Sequence, residues 1–251
     1  MSTLEMPSIT FACLVGGAVL GFLVRRFLPE HHRTSDSKAA VQIAMGLVVT
    51  MAAVVLGLLV ESAKSSYDRQ NTELTGLSAK VILLDRTLAR YGPESKEVRD
   101  QLRTTVTLIL HDIWSEDRSG ASQLEPGSVG EVAFYDKLQG LSPKDDAQRE
   151  LKAEAFSIAT SLAEMRWLMY EQAASTISLP FLVIMIFWLT VLYVSFGLFA
   201  PLNATVIASF FVSALAVSTA IFLIVEMYSP YAGLIQISNA PLRAALAHLG
   251  Q

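Results

Sequence analysis

The sequence lacks the residue patterns that most enzymes and metalloproteins use for chemistry. Its single cysteine, Cys13, excludes a disulfide within the chain. It contains no GxSxG segment, no glycine-rich phosphate loop and no HExxH pair. His111 and Asp112 are adjacent on a predicted helix, where they would point in different directions, and His31 and His32 form no HxxxH pair. We therefore expect no catalytic residue, no metal site and no cofactor.

Charge is absent from three long stretches, residues 6–24, 39–60 and 172–225. The first two each match the roughly 20 residues that a helix needs to cross a bilayer. The third is long enough for two such helices, with a break at Ala200-Pro201-Leu202-Asn203. The whole chain is 52% hydrophobic and only 17% charged, with a mean hydropathy of +0.44. These features predict four transmembrane helices, at about 8–24, 39–60, 180–199 and 204–225, with the lipid bilayer as partner.

The chain also lacks a basic surface that could bind nucleic acid. Its formal net charge is -4, and residues 61–171 hold 14 Lys and Arg against 19 Asp and Glu. Because binding to phosphate needs a basic face, we expect no nucleic-acid partner. Arg25 and Arg26 follow the first apolar stretch and no Lys or Arg precedes it, so we expect that stretch to remain as a span.

The central feature that is present is residues 39–91, which contain no proline and no glycine pair. They predict one helix that spans the bilayer with its first half, stands in water with its second half and stops at Gly92-Pro93. The water-side half carries an apolar row at spacings of three and four, which predicts a seam for packing against other helices, in a bundle or in an oligomer. The row consists of Leu74, Leu77, Val81, Leu84, Leu88 and Tyr91. Continued backwards, it reaches Leu56.

Further helices are predicted at about 94–114 and 131–139, and from Ser142 as cap with Pro143 in the first turn. In the tail, Leu242, Leu246 and Leu249 predict a short amphipathic helix at the membrane surface. The predicted fold is all-α, with four transmembrane helices and a helical bundle outside the bilayer between spans two and three. The expected domains are 1–60 with a basic loop at 25–38, a bundle at 61–177, a transmembrane hairpin at 178–226 and the tail at 227–251.

Glycine and polar residues within the spans are candidates for special roles. Gly17 and Gly21, four residues apart, would let another helix approach the first span closely. Gln42, Thr50 and Glu61 could line a central path if several copies associate through the long helix. Alternatively, Gln42 and Glu61 mark the two membrane interfaces and Thr50 bonds its own backbone.

Loop charge predicts the orientation of the chain in the membrane. Four basic residues lie in the short loop 25–38, and short loops rich in Lys and Arg face the cytoplasm. By this rule the bundle at 61–177 would face outward.

Three stretches carry a resemblance to a known family: GLVVTMAAVVLGLLVESAKSSYD, LLDRTLARYGPES and SPYAGLIQIS with Pro241-Leu242 after it. Together with the order of spans, loop, long second span, helical middle and hairpin, they resemble the bacterial bestrophin-like membrane proteins over nearly the whole chain. The resemblance implies a bacterial plasma-membrane, multi-pass homo-oligomer that conducts a small ion, an anion by analogy with bestrophins.

The same resemblance implies that the second span lines the conduction path, with Gln42, Thr50, Leu56 and Glu61 as candidate residues, and that the bundle is cytoplasmic. The bestrophin neck is a run of bulky apolar and aromatic residues, whereas span two here has no aromatic residue. The alternative function is a non-conducting structural or sensory membrane protein whose bundle binds a partner or ligand.

Overall fold

The computed structural model of the chain describes residues 4–27, 35–114, 127–174, 179–201, 203–231 and 233–250. Every regular element in these ranges is helical. The helices are α1 (Glu5–Phe27), α2 (Ser35–Tyr91), a short 3-10 helix (Pro93–Ser95), α3 (Lys96–Ile113), α4 (Val129–Gln139), α5 (Asp146–Ala174), α6 (Leu179–Phe199), α7 (Ala204–Met227) and α8 (Ala240–His248). His31, His32 and residues 115–126, between the predicted helices at 94–114 and 131–139, lie outside the described residues.

Four helices are long and apolar enough to cross a membrane, namely α1, α2, α6 and α7. They coincide with the four predicted spans, so the prediction of an all-helical protein with four candidate transmembrane helices is confirmed. The break between α6 and α7 is stabilised by Asn203, whose side-chain oxygen accepts a hydrogen bond from the Val206 amide at 2.9 Å.

Helix α2 continues without interruption from Ser35 to Tyr91. It ends at a glycine followed by a proline, two residues whose backbones do not continue a helix. Gly92 has a φ of 124°, which residues with a Cβ rarely adopt, and Pro93 cannot donate an amide hydrogen bond. The buried hydroxyl of Ser95 donates to the Leu88 carbonyl at 2.5 Å, which satisfies a carbonyl that the helix end leaves without an intrahelical partner.

The start of α5 differs from the prediction. The helix begins at Asp146, so the expected cap at Ser142 and the expected first-turn position of Pro143 are wrong. Asp145 has the capping role instead, because its carboxylate accepts a hydrogen bond from the Gln148 amide at 2.7 Å. The Lys144 amide in turn donates to the side chain of Gln148 at 2.8 Å.

The chain forms two compact units, Met1–Ser65 with Thr176–Tyr228 and Ser66–Ser175 with Ser229–Gln251. The first unit contains α1, the first part of α2, α6 and α7. One buried cluster joins α2, α6 and α7, and another joins α1, α6 and α7. The two clusters have these buried members: Leu59, Ala63, Leu182, Met185, Ile221 and Ile224 in the first, and Leu14, Ala18, Tyr193 and Ala214 in the second.

Glycines set the distance between α1 and α6 in this unit. A Cβ placed on Gly21 would lie 2.2 Å from the Val194 carbonyl oxygen and 3.0 Å from the Cα of Gly197. A Cβ on Gly17 would lie 3.0 Å from the Thr190 carbonyl oxygen. The two helices therefore approach each other closely through Gly17 and Gly21, as the spacing of these residues predicts.

The second unit contains the remainder of α2 together with α3, α4, α5, the tail and α8, packed around one large core. Asp85 is 3% exposed and accepts two hydrogen bonds from Arg99, at 2.7 and 2.8 Å. The amide of Gly250 also donates to Asp85, at 3.2 Å, so the carboxylate joins α2, α3 and the end of the tail.

The tail helix α8 does not leave an apolar face for a membrane surface. Leu242 and Leu249 are 1% and 3% exposed within the core of the second unit, and Leu246 packs against the same core. The expected membrane-surface position is therefore wrong, since the chain's own helices cover this leucine face. From Ser229 onward the tail belongs to the second unit.

Candidate conduction helix and a buried polar cluster

The part of α2 in the first unit has two different sides. Ala52, Leu59 and Ala63 are nearly fully buried, and the latter two pack against α6 and α7. With 3.6 residues per turn, the opposite side of the helix carries exposed apolar residues and two polar ones. We call this set the free face; it consists of Ile43, Leu47, Thr50, Val54, Leu58 and Glu61.

Two of the four predicted path residues lie on the free face. Thr50 is exposed, and its hydroxyl donates to the Gly46 carbonyl one turn earlier at 3.0 Å. This is the backbone bond that the alternative interpretation of Thr50 expects. Glu61 is exposed seven residues after Val54, so its Cβ lies on the same side of the helix.

The other two predicted residues lie on the side that faces the hairpin of α6 and α7. Leu56 is half-buried and packs against the cluster formed by α2, α6 and α7. Gln42 lines a groove of about 420 Å³ together with Lys38, Met45 and the neighbouring ends of α6 and α7. Within one chain, Thr50 and Glu61 are thus brought to one side of the helix, and Gln42 and Leu56 to the other.

The six residues of the predicted seam are buried in the second unit. Leu74, Leu77, Val81, Leu84, Leu88 and Tyr91 are between 0% and 4% exposed within a single chain. They share one core with residues of α3, α4, α5 and α8. The chain's own helices therefore cover this row.

A polar pair at the edge of this core was not among the residues that the sequence patterns predicted. Arg166 of α5 is 7% exposed, and its Nη2 atom lies 3.1 Å from Oε1 of Glu131 in α4. The other oxygen of Glu131 accepts the Gly127 amide at 2.6 Å. Burial lowers the pKa of the Arg166 guanidinium, while Glu131 and Asp112 act in the opposite direction.

Several atoms around this pair have no hydrogen-bond partner among the described residues. They include Nε and Nη1 of Arg166 and Oε1 of Glu131. The 3.1 Å contact between Oε1 of Glu131 and Nη2 of Arg166 is an ion pair. Nearby, the hydroxyl of Tyr231 is also buried without a partner. Burial raises the pKa of the Tyr231 phenol, Glu73 raises it further, and Arg166 opposes both.

A cavity of about 70 Å³ lies beside the pair, inside the second unit. Its wall is formed by α2, α3, α4, α5 and α8, and both Arg166 and Glu131 line it. No sequence motif joins Glu131 to Arg166, because the two residues belong to different helices that only the folded chain brings together. The available signal is Arg166 itself, a charged residue at helical spacing from the apolar residues Leu162 and Met169.

The profile of the Bestrophin-like domain matches residues 12–242 of this sequence. The chain belongs to the bestrophin-like family. The match confirms the resemblance carried by the sequence stretches named above. No curated protein sequence matches the chain.

A solved structure supports the bestrophin-like fold. The crystal structure of a bacterial bestrophin homologue from Klebsiella pneumoniae, bearing one mutation, matches with a TM-score of 0.58 and 15% sequence identity. The alignment covers 96% of this chain and 96% of that chain. At this identity the likeness shows a shared fold. The family and the four long apolar helices together show that this bestrophin-like chain is a membrane protein.

Proposed function

We propose that this bestrophin-like protein is an ion channel in which several copies surround a path lined by the free face of α2. The proposal depends on one observation: in the first unit, one side of α2 is buried and the other side is exposed. One side is filled by α6 and α7, while the free face has no partner within the described part of the chain. A membrane helix that is packed on one side only can present its other side to neighbouring copies and to an axial path.

Family membership supports the same proposal. Bestrophins, which the sequence resembles, conduct anions through a path lined by the second span, and α2 is that span here. In this proposal Thr50 and Glu61 face the path, whereas Gln42 and Leu56 contact the hairpin side of the same chain. The helices of the second unit stand in water, in a bacterial plasma membrane protein.

Glu61 has a defined effect in this arrangement. Copies arranged around an axis would place a ring of carboxylates at the end of the path, and such rings attract cations. The anion preference expected from the resemblance would then be limited by Glu61. We expect Glu61→Gln to shift the reversal potential in a KCl gradient toward the chloride equilibrium potential.

The test is electrical recording from the purified full-length protein in planar bilayers. In a background with Cys13→Ala, Val54→Cys on the free face should lose current when a charged thiol reagent is added. Val183→Cys on α6 is the matched control, because Val54 and Val183 are each 58% exposed in the single chain. The control should keep its current, since a lipid-facing side chain is shielded from a charged reagent.

Two results would contradict the proposal. One is the absence of current for any common ion from protein that is folded and reconstituted. The other is equal sensitivity of Val54→Cys and Val183→Cys to the reagent, which would leave no special role for the free face.

A second candidate function is supported by the cavity beside Arg166 and Glu131. In that case the spans anchor the protein, and the helices of the second unit bind a partner or ligand without conduction. A monomer or dimer that carries no current would favour this alternative.

A further inference from the structure

We propose that the groove between α2, α6 and α7 binds one anionic phospholipid, with an acyl chain along its apolar wall and the phosphate beside Lys38. This is the groove of about 420 Å³ that Gln42 also lines, and all of its residues belong to the first unit. The lipid site goes beyond conduction, since it requires no ion path.

The groove lies at one end of the candidate spans. Its residues belong to the beginning of α2, the end of α6 and the beginning of α7. Arg25, in the last turn of α1, donates a hydrogen bond to the carbonyl of Ala200, which lines the groove as well. The ends of all four spans therefore meet here, at the level where a chain leaves the hydrocarbon and the phosphates of lipids lie.

Most of the wall is apolar and suits an acyl chain. Its apolar side chains are Met45, Val49, Phe196, Phe199, Val206 and Phe210. Val49 and Phe196 are each 43% exposed, so lipid has access to the groove from outside the unit. If each methylene takes about the 30 Å³ of a water molecule, roughly a dozen methylenes fill this space, which corresponds to one chain.

The charges at this end of the spans favour an anionic head. Lys38 is exposed, lines the groove and has no hydrogen-bond or ion-pair partner among the described residues. Arg25 and Arg26 end α1, and in the described part of this end only Asp36 carries a negative charge. Basic groups at the membrane surface attract the phosphates of anionic lipids.

The order of side chains along α2 matches the order of groups in a phospholipid. Gln42 follows Lys38 by four residues, which is about 6 Å along the helix axis, and Met45 and Val49 follow at further turns. A phospholipid likewise has a charged phosphate, then ester carbonyls that accept hydrogen bonds, then an apolar chain. Gln42 lines the groove at the level of the esters, where its amide can donate to them.

A second copy of the chain is a poorer occupant than a lipid. A neighbouring copy placed with the same end of its spans at this level would bring Arg25, Arg26 and Lys38 close to the same residues of the first copy. Like charges that approach in this way repel each other, whereas an anionic lipid neutralises them.

The test compares phosphatidylglycerol with phosphatidylcholine that has identical acyl chains. Full-length protein in mild detergent is titrated with each lipid, and native mass spectrometry counts the lipids bound per chain. We expect phosphatidylglycerol to bind at least about fivefold more tightly, which is the effect of one basic group near a membrane surface. Inorganic phosphate at the same concentration should not displace it, because free phosphate makes no contact with the apolar wall.

One variant tests the position of the phosphate. Lys38→Gln should lower the preference for phosphatidylglycerol about fivefold. Lys64→Gln is the matched control, because Lys64 is also an exposed lysine of α2 in the first unit but does not line the groove. The control should keep the preference of the unmodified protein.

A second variant tests the position of the acyl chain. Gly46→Leu adds a side chain to the wall of the groove and should weaken the binding of both lipids. Gly57→Leu is the control on the same helix, since nothing lies within 4 Å of an added Cβ at either glycine and Gly57 does not line the groove. Because Lys38 is exposed, Lys38→Gln keeps the test decisive if Gly46→Leu fails to fold.

Four outcomes would overturn the proposal. Equal binding of the two lipids to the unmodified protein would contradict the selection by charge. An unchanged preference in Lys38→Gln would place the phosphate elsewhere, and unchanged binding in folded Gly46→Leu would place the chain elsewhere. A smaller number of copies per particle in Gly46→Leu, but not in Gly57→Leu, would mean that a neighbouring copy fills the groove. Absence of ion current would contradict the channel and leave this lipid site standing.

Discussion

At the scale of single residues, the most demanding contact is between α1 and α6. Gly21 and Gly197 face each other, and a Cβ on Gly197 would lie 2.3 Å from the carbonyl oxygen of Ala18. The groups that such a Cβ would meet are backbone atoms, which cannot rotate away as a side chain can. Helix separation must therefore increase if either glycine acquires a side chain.

We predict that Gly21→Ala destabilises the protein by about 2–3 kcal/mol, because the added methyl group forces α1 and α6 apart. Unfolding of the detergent-solubilised protein, followed by circular dichroism in a denaturant titration, measures the change. Gly16→Ala is the matched control, since nothing lies within 4 Å of its added Cβ. That variant should gain up to about 1 kcal/mol from the higher helix propensity of alanine.

An equal effect of the two substitutions would contradict this account of the helix crossing. The spacing of Gly17 and Gly21 is visible in the sequence, and it predicts the approach of a helix to this face. It does not identify the approaching helix. Gly197 stands alone in α6 without a repeated spacing, and its role depends on a partner more than 170 residues away in the sequence.

At the scale of elements, α2 supplies buried residues to both units. In the first unit Ala52, Leu59 and Ala63 form the buried side, and in the second unit the row from Leu74 to Tyr91 does. Spacings of three and four keep each row on one side of a helix. The second row is covered by helices of the same chain, so its loss should affect the stability of that unit directly.

We predict that Leu84→Ala lowers the free energy of unfolding by about 3 kcal/mol, since it leaves a cavity in the core. The neighbouring Leu83→Ala should cost less than about 1 kcal/mol. Leu84 is 0% exposed and Leu83 is 49% exposed, so the pair separates burial from residue type. Denaturant titrations of both variants measure the difference, and similar losses would show that the row is not a core.

Element boundaries were predictable where a local signal is strong. Gly92 and Pro93 end α2 as expected, because one needs a positive φ and the other lacks an amide donor. The start of α5 was misplaced, because Ser142, Asp145 and Asp146 are all acceptable near a helix start. Only the observed bond from the Gln148 amide to Asp145 distinguishes them.

At the scale of the whole molecule, the sequence predicts what depends on composition and misses what depends on distant contacts. Uncharged stretches of adequate length predict the four candidate spans. The leucines of α8 predict an amphipathic helix but not which surface covers it, and the core of the second unit covers it here. The pairing of Glu131 with Arg166 was unpredictable because it joins two helices with no shared motif.

The free face of α2 leads to a prediction about assembly. A path for ions requires several copies, so particles in mild detergent should have a protein mass of four to six times 27.3 kDa, measured by light scattering with the detergent contribution subtracted.

In a background with Cys13→Ala, Leu58→Cys should form disulfide-linked dimers under mild oxidation, because neighbouring copies bring this face together. Leu223→Cys on α7 is the control: Leu223 is also exposed, at 45% against 64% for Leu58, but it lies on a helix that this arrangement turns toward lipid. Particles of one copy, or equal cross-linking at both positions, would mean that the exposed side of α2 faces lipid and that the path must be sought elsewhere.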